Sequence, residues 1–345
     1  MAKVKSLKFD SPHWQVWIDW DITQRCNYTC SYCASYNNDQ PFNFKTLEEY
    51  IEALTYVKSL FSDNETIMMH FLGGEPTLYK QWPELFSWLA DNRFVVQLTT
   101  NLSIPAKKYI NRLSTNLSQF MIGSYHPEFA NFIKFRNNVK MLYDKGFYKQ
   151  SVVLGSPKHW DHIMNVFNSL SEICDTRLTK IKDEHAGGRL RISGGWIDYT
   201  EEQAKMFVDA NPQEDKHMTV EFDDGTITHP TNSILRYYHS NFKDMFCAVG
   251  QKRLHINSYG DVFPSACLLN FRKAIMGNIF KQNIRKPQKA IICPFEECLC
   301  GPDIRIEKWA QRCRTLGNYV SRVVSLRDKL SNSVCAVFDS FSTAL

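Results

Sequence analysis

The chain has 345 residues, 43% of them hydrophobic and 22% charged, which excludes a disordered or fibrous sequence and allows a folded core. Its net charge of +5 is too small over this length to indicate a nucleic-acid binder. Because no apolar export segment follows the N-terminus and no run of about 18 apolar residues occurs, we expect a cytoplasmic protein without a membrane segment.

In chain order, short apolar runs alternate with segments of helical length. Capping boxes at Thr46/Glu49 and Thr200/Gln203 predict the starts of two helices. The runs that predict strands are residues 16–22, 67–72, 94–98, 120–124 and 151–154. The repeated strand–helix order predicts an α/β fold with a parallel sheet, a partial (β/α)6 TIM-like barrel over residues 14–214. Residues 1–13 would be an N-terminal extension, and the loops after the strands should carry the chemistry.

The pattern changes beyond residue 214. Alternating segments around Asp224-Gly225 and around Tyr259-Gly260 predict two hairpins. They indicate a small α+β module over residues 215–303. Apolar residues at helical spacing between 305 and 330 predict a docking helix, so residues 304–345 are expected to form a C-terminal helical extension.

Most of the cysteines form two groups in the sequence, called here the first and the second cysteine centre. The sequence has eleven cysteines, three of them close together near the start and five between residues 247 and 300. In a chain without an export signal, such grouping indicates metal or redox chemistry more than disulfide bonds.

The first centre is a C-x3-C-x2-C run directly after the first predicted strand, formed by Cys26, Cys30 and Cys33. Three thiolates can bind one metal centre, but a closed structural site needs a fourth ligand, which does not lie nearby in the sequence. One coordination position would therefore stay open for a small ligand. Two alternatives remain: a zinc site completed by a distant cysteine, or three reduced structural cysteines.

This run resembles the cluster motif of the radical S-adenosylmethionine (radical SAM) superfamily, with Tyr32 at the usual aromatic position. The resemblance implies a [4Fe-4S] cluster with one open iron, which is chelated by S-adenosylmethionine (SAM). It also implies reductive cleavage of SAM to a 5′-deoxyadenosyl radical that abstracts a hydrogen atom from the substrate.

A second motif ends the second predicted strand. Adjacent glycines allow a close approach of the backbone to a ligand, and the glutamate that follows is suited to an ammonium group. The segment resembles the part of the family fold that binds the SAM amino group. Its members are Gly73, Gly74, Glu75 and Pro76.

Polar residues follow the third and fourth predicted strands. In related enzymes such positions contact SAM or the substrate, so Asn101 and Ser124 are predicted to bind cofactor or substrate. His126, in the same turn as Ser124, could donate or accept a proton there. The sequence does not identify a catalytic residue.

The second cysteine centre resembles the twitch module, the shorter relative of SPASM. The resemblance implies one auxiliary iron-sulfur cluster, expected to be [4Fe-4S]. Five thiols compete for four ligand places: Cys247, Cys267, Cys298 and Cys300 are preferred, with Cys293 as a substitute ligand or a free thiol. A zinc ribbon could use the same residues.

The resemblance predicts an oxidoreductase or other transforming enzyme that carries out a net oxidation or a bond-forming modification of a small metabolite or a peptide. A peptide substrate would need a separate recognition protein or direct binding in a groove. The alternative of another class is a non-catalytic zinc or iron-sulfur protein, such as an electron carrier. Six basic residues and no acidic residue lie between 271 and 290, either as a solvated face or as a docking site for an acidic donor such as ferredoxin or flavodoxin.

Overall fold

The structure is a computed structural model, and it describes residues 2–9, 13–33, 42–116, 118–181, 198–209, 217–269, 271–298 and 300–310. Its first part alternates strands and helices after an initial strand. The strands are β1 (Val4–Phe9), β2 (Val16–Thr23), β3 (Ile67–Gly73), β4 (Val95–Thr100), β5 (Gln119–Tyr125), β6 (Tyr148–Leu154) and β7 (Asp175–Thr179). The helices are α1 (Leu47–Ser59), α2 (Trp82–Asp91), α3 (Phe132–Asp144), α4 (Trp160–Ser171) and α5 (Glu201–Asp209).

The second part is built from short strands. These are β8 (Met218–Phe222), β9 (Ile227–Thr228), β10 (Phe246–Cys247), β11 (Arg253–Ile256), β12 (Asp261–Phe263), β13 (Gly277–Asn278), β14 (Ile291–Ile292) and β15 (Lys308–Trp309). Two short helices accompany them, α6 (Asn232–Tyr238) and α7 (Gly301–Ile304). Both predicted hairpins are confirmed, one by β8 and β9 and the other by β11 and β12.

Strands β2 to β7 lie side by side in chain order and every neighbouring pair is parallel. The five predicted strands are confirmed, and β7 is a sixth that the sequence pattern did not indicate. The capping box at Thr46 is present, with the Thr46 hydroxyl accepting from the Glu49 amide and the Glu49 carboxylate accepting from the Thr46 amide. Reciprocal bonds between Thr200 and Gln203 likewise begin α5.

The two faces of β2 differ in chemistry. Val16, Ile18 and Trp20 are fully buried and belong to the main apolar core, which also contains the inner stripes of α1 to α4. Because side chains alternate along a strand, Asp19 and Asp21 point to the opposite face. This second face, the inner face of the sheet, carries both carboxylates as well as Trp17 and borders the cavity described below.

The second sheet has the order β14-β10-β15-β1-β8-β9, and its neighbouring pairs are antiparallel. One expectation needs correction here. The predicted docking helix is wrong over residues 308–309, which form β15 between β1 and β10. The remainder of that predicted helix, residues 311–330, lies outside the described residues, as does the rest of the predicted extension to residue 345. The predicted N-terminal extension contains β1.

The two sheets do not correspond to the two parts of the chain. β11 leaves the second part and pairs in parallel with β2, so the hairpin of β11 and β12 extends the first sheet at its β2 edge. The sheet order becomes β13-β12-β11-β2-β3-β4-β5-β6-β7. Where the chain is described, no helix combines the length and the apolar character needed to cross a membrane.

The turn after β3 lies directly against the segment after β2. A Cβ at Gly73, whose φ is +120°, would lie 2.3 Å from the Thr23 carbonyl oxygen, and one at Gly74 would lie 2.0 Å from the Arg25 carbonyl oxygen. The Gly74 amide donates to the Thr23 carbonyl at 2.8 Å. Both glycines are therefore required by contact between two backbones, and this contact fixes the start of the cysteine loop.

We expect Gly74→Ala to lower the free energy of unfolding by about 1–3 kcal/mol, because the added methyl group must displace the Arg25 backbone. Urea denaturation measures this difference. The matched control is Gly301→Ala, whose added Cβ would approach only the Asn232 amide nitrogen, at 3.9 Å. Equal stability of the two variants would contradict the close packing described here.

Candidate active site

The cysteine loop, residues 24–33, follows β2 and carries three unpaired thiols. Cys30 is buried, and Cys26 and Cys33 are half-buried. The amide of Cys33 donates to the Cys30 carbonyl at 3.0 Å, which forms a turn between the last two cysteines. The loop therefore presents three thiols in one short, folded stretch.

Asn101, at the end of β4, reaches the beginning of this loop. Its side-chain amide donates to the side-chain oxygen of Asn27 at 2.9 Å and lies 3.9 Å from the Cys26 sulfur. The Tyr28 amide lies 3.4 Å from the same sulfur. The sequence-predicted residue Asn101 is thus brought beside Cys26.

The turn after β5 supports the other end of the loop. His126 Nδ1 lies 3.4 Å from the Cys30 sulfur and 3.2 Å from the Tyr32 hydroxyl, and the Tyr32 and His126 rings stack. Burial lowers the pKa of His126 to about 4, so its ring is neutral at pH 7. The Glu128 carboxylate accepts from both the amide and the hydroxyl of Ser31. His126 and Glu128 therefore support the loop from outside, and Tyr32 is the loop residue that stacks on His126.

Glu75 is buried, and both oxygens of its carboxylate accept hydrogen bonds from the protein. The carboxylate accepts from the backbone amide and the hydroxyl of Thr77. It also accepts from the Thr100 hydroxyl at 2.7 Å and from the Asn101 backbone amide at 2.7 Å. Burial raises the pKa of Glu75. Through these hydrogen bonds Glu75 joins the turns after β3 and β4, and its contact with an ammonium group stays a prediction. Pro76 begins the 3-10 turn Pro76–Leu78 beside it.

The thiols of the cysteine loop are suited to an iron-sulfur cluster. Burial raises the pKa of Cys26 to about 11 and that of Cys30 to about 12, so both need nearby positive charge to become thiolates. Iron supplies such charge, and in a cubane each thiolate binds a different iron atom. Within the described ranges no three His, Cys, Asp or Glu side chains are arranged to hold one metal ion.

The inner face of the sheet carries a buried hydrogen-bond network. His70 on β3 contacts Asp19 at 2.9 Å through Nδ1 and the Thr99 hydroxyl at 2.8 Å through Nε2. Arg253 on β11 donates to the other Asp19 oxygen at 2.6 Å. Burial alone would raise the pKa of Asp19, but Arg253 and His70 outweigh it and hold that pKa well below the usual range.

Arg253 also connects this face to the C-terminal cysteines. Its Nε donates to Asp303 at 2.9 Å, and the second Asp303 oxygen lies 3.3 Å from the Cys267 amide. Lys308, which is also buried, donates to the carbonyls of Asp303, Ile304 and Ile306. Two buried cations and two buried carboxylates thus join β2, β11 and the segment after Cys300.

A second buried pair lies nearby. His255 Nε2 contacts Asp21 Oδ2 at 3.0 Å, and both residues are at least 95% buried. Asp21 Oδ1 and His255 Nδ1 have no hydrogen-bond partner among the described residues. Burial opposes the charged imidazole, but Asp21 outweighs this effect and the pKa of His255 is raised.

A cavity of about 540 Å³ lies against the inner face, and each of β2 to β7 contributes to its wall. His70 and Thr99 line it near the buried network, and Ser124 lines it near the turn after β5. Segments from the second part of the chain, including α6 and residues 301–305, complete the wall. Ser124 is therefore a cavity residue, whereas the other predicted cofactor-binding residues surround the cysteine loop.

The second cysteine centre consists of unpaired thiols around Lys308. Positive charge from Lys308 opposes the effect of burial at Cys247 and Cys298, while the neighbouring thiols Cys247 and Cys293 raise the pKa of Cys298, which reaches about 12. Burial and the Asp303 carboxylate raise the pKa of Cys267, with smaller contributions from Cys298 and Cys247. Cys293 thus lies within the group, and Cys300 lies beside Arg253 and Asp303.

Sequence reasoning missed the buried ionisable residues that join the inner face to the second part of the chain. They are Asp19, Asp21, His70, Arg253, His255, Asp303 and Lys308. One signal was present: β2 alternates apolar and polar residues, although a strand covered on both faces is expected to be apolar throughout. Carboxylates at every second position of a buried strand indicate an inner polar face.

The pair of His255 and Asp21 should make stability depend on pH. Because the folded-state pKa of His255 is raised, the pair contributes fully below the unfolded-state pKa of about 6.5 and loses this contribution as pH rises through the folded-state pKa. We expect His255→Gln to cost about 3 kcal/mol at pH 5.5 and less at pH 8.5. Urea denaturation at both pH values measures this, with the exposed His159→Gln as control. A deficit that is constant or grows with pH would contradict the ion pair.

Comparison with known proteins gives both a family match and structural neighbours. Residues 20–168 match the family model described as the Radical SAM superfamily. The Fe-coproporphyrin III synthase of Methanosarcina barkeri (strain Fusaro / DSM 804) is 29% identical over 96 residues, which are 28% of this chain and 23% of that protein. The S-adenosylmethionine-dependent nucleotide dehydratase of Selenomonas ruminantium is 28% identical over 87 residues, 25% of this chain and 30% of the relative. The matches thus span less than a third of these curated relatives.

Among solved structures, Streptococcus suis SuiB bound to S-adenosylmethionine has a TM-score of 0.52 at 14% identity, covering 78% of this chain and 64% of SuiB. Hexahistidine-tagged anSMEcpe with bound AdoMet has the same TM-score and identity and covers 78% of this chain and 80% of that chain. At this identity the likeness concerns the fold. The fold is thus shared with proteins whose structures contain bound S-adenosylmethionine. Within it, residues 20–168, which include the cysteine loop and the turn after β3, match the Radical SAM superfamily.

Proposed function

We propose that this protein is a radical SAM enzyme whose cysteine loop and inner cavity form one active site. The observation that carries the proposal is the contact between two motifs of the matched segment: the loop of Cys26, Cys30 and Cys33 starts directly against Gly73 and Gly74. Each motif alone is compatible with an ordinary turn. Their backbone contact at the same end of adjacent parallel strands favours a common ligand site.

In this proposal Cys26, Cys30 and Cys33 hold a [4Fe-4S] cluster with one open iron. When bound, the cluster and SAM supply a 5′-deoxyadenosyl radical that abstracts a hydrogen atom from the substrate. The backbone of residues 73–76, together with Tyr32 and Asn101, would bind SAM beside the cluster. Ser124, which lines the cavity, would contact the ligand from the substrate side.

The chain's own residues position these groups. Glu128 contacts Ser31, and His126 contacts Cys30 and Tyr32. These contacts would hold the thiols in one arrangement before a cluster binds. A radical site must also exclude water and competing reactions.

We further propose that residues 14–214 act as the partial barrel and residues 215–303 as a twitch-like module with one auxiliary [4Fe-4S] cluster. Four of the five thiols would bind it, and Lys308 would balance part of the negative charge. The position of Cys293 beside Cys298 favours including Cys293 among the candidates. Net oxidation of the substrate fits a second centre that accepts an electron, and the basic segment 271–290 would dock an acidic donor such as flavodoxin or ferredoxin.

Two substrate classes are compatible with this site. A small metabolite could bind in the cavity of about 540 Å³. The second candidate is a ribosomal-peptide maturase working with a separate recognition protein, and it is supported by the fold likeness to SuiB, one structure of which is bound to precursor peptide SuiA.

The proposal predicts that the full chain, reconstituted with iron and sulfide without oxygen, releases 5′-deoxyadenosine from SAM when dithionite is added. Cys30→Ala should reduce this release at least about 100-fold, because one iron of the cluster loses its ligand. Chromatography of the products measures it. The control is Cys174→Ala, which removes a buried thiol that contacts Ser151 and the Leu170 carbonyl.

Tight binding of zinc without 5′-deoxyadenosine release by the wild-type protein would overturn the proposal in favour of a non-catalytic metal protein. Electron transfer by the reduced protein without SAM cleavage would favour an electron carrier. Equal loss of activity in the two cysteine variants would show that the effect comes from folding and not from the cluster.

The second centre is tested by Cys267→Ala. This variant should retain SAM cleavage but lose about half of the bound iron and sulfide, because only the auxiliary cluster would lose a ligand. Iron and sulfide analysis measures the loss, with Cys174→Ala again as control. A full iron content in Cys267→Ala would rule out Cys267 as a ligand.

A further inference from the structure

We propose that Asp19, His70 and Thr99 form a proton-accepting relay in the wall of the inner cavity, which takes a proton from a hydroxyl or amino group of the ligand. The three residues lie on the neighbouring strands β2, β3 and β4. His70 and Thr99 line the cavity, and Asp19 is buried behind them. The inference rests on the proposed function only where it identifies the ligand as the substrate.

The contacts within the relay have the lengths of good hydrogen bonds. Asp19 Oδ1 lies 2.9 Å from His70 Nδ1, and His70 Nε2 lies 2.8 Å from the Thr99 hydroxyl. In an arrangement of carboxylate, imidazole and hydroxyl in this order, the histidine takes the proton of the hydroxyl group while the carboxylate holds the ring. Such an arrangement is identified by its geometry and not by the spacing of its members in the sequence.

The Asp19 carboxylate is fixed in position and ionised. The indole Nε1 of Trp17 donates to Oδ1 at 2.7 Å, and Arg253 donates to Oδ2 at 2.6 Å. Although burial raises the pKa of Asp19, Arg253 and His70 outweigh this effect and hold that pKa well below the usual range. Because an ionised carboxylate only accepts hydrogen bonds, the proton between Asp19 and His70 lies on Nδ1 of the imidazole.

The position of this proton determines the direction of the second hydrogen bond. In a neutral imidazole with its proton on Nδ1, Nε2 is an acceptor. The Thr99 hydroxyl therefore donates to His70, and the lone pairs of the Thr99 oxygen remain available to a donor group in the cavity. A hydroxyl or amino group of a ligand fits this position, whereas an ionised carboxylate has no proton to donate there.

Proton transfer along the relay balances within these groups. A proton leaves the O–H or N–H bond of the ligand and binds Thr99 Oγ1, while the original hydroxyl proton of Thr99 moves to His70 Nε2. The imidazolium formed in this way lies 2.9 Å from the Asp19 carboxylate, which stabilises it. In the proposed net oxidation the ligand also loses a hydrogen atom from the neighbouring carbon to the 5′-deoxyadenosyl radical and one electron to the auxiliary iron-sulfur centre, which leaves a C=O or C=N bond.

Two strands of the relay lead to the cysteine loop. Thr99 on β4 is followed two residues later by Asn101, whose side-chain amide lies 3.9 Å from the Cys26 sulfur. His70 on β3 is followed three residues later by Gly73, which begins the turn packed against the start of that loop. A ligand bound at Thr99 would therefore lie on the same side of the cavity as the proposed source of the radical.

The experiment uses the full-length, cluster-loaded protein without oxygen and titrates it with phenylboronic acid. SAM is left out, because its ribose diol would itself bind the boronic acid. If His70 accepts the proton of Thr99, the Thr99 oxygen adds to boron: an O–B bond forms, boron becomes tetrahedral and His70 takes the proton. Boron NMR measures the tetrahedral adduct, and nitrogen NMR of the histidine-labelled protein measures the protonation of His70.

We expect saturable formation of the adduct in the wild-type protein, weakened at least about 10-fold by Thr99→Val, which removes the hydroxyl, and by His70→Gln, which removes the proton acceptor. Thr99→Ser keeps the hydroxyl and should retain the adduct. The matched control is Thr179→Val, which removes another threonine hydroxyl from the wall of the same cavity. Because valine has nearly the shape of threonine, Thr99→Val tests the relay even where His70→Gln fails to fold.

Absence of a tetrahedral adduct in the wild-type protein would overturn the inference, as would an adduct that survives in Thr99→Val or forms without protonation of a histidine. Equal weakening by Thr179→Val would likewise contradict it, because the adduct would then depend on the cavity wall in general. Release of 5′-deoxyadenosine by the same wild-type preparation is measured separately with SAM, so failure of the relay is distinguished from failure of the proposed enzymatic function.

Discussion

A single buried guanidinium connects the parts of this protein. Arg253 is completely buried and bridges Asp19 on β2 and Asp303 beside the C-terminal cysteines. Removing either carboxylate would leave an uncompensated charge in the interior, which costs several kcal/mol. The position of β11 against β2, and with it the position of the second cysteine centre relative to the inner face, depends on this bridge. The network therefore acts together with the backbone pairing of β11 and β2 and with Leu254 and Ile256 in the apolar core.

The cavity lies between two regions with different supports. The cysteine loop is held by backbone contacts with Gly73 and Gly74 and by the turns after β4 and β5. Beside the C-terminal cysteines, Lys308 donates to the Asp303 carbonyl, and the Asp303 carboxylate accepts from the Cys267 amide. A ligand in the cavity would contact residues from both parts of the chain, so binding and the packing of the two sheets are physically coupled.

The parallel strands and the helix starts could be predicted from the sequence because they depend on local patterns, the apolar runs and the capping box of Thr46. The cysteine loop and the Gly73-Gly74 turn were also visible, since each is a short motif. Arg253 could not be assigned, because its partners are 234 and 50 residues away. The hydrogen bonds of Glu75 to Thr100 and Asn101 could not be predicted for the same reason, because they depend on the neighbouring strand. β15 was missed because a two-residue strand has no periodicity of its own.

The position of β1 has a consequence for the order of folding. β1 pairs with β8 on one side and with β15 on the other, so the second sheet joins residues near the start of the described chain to residues 308–309. Contacts of such sequence separation form slowly and late. During synthesis on the ribosome, β2 to β7 can assemble while β1 still has no partner, and the second sheet closes only after Trp309 has emerged.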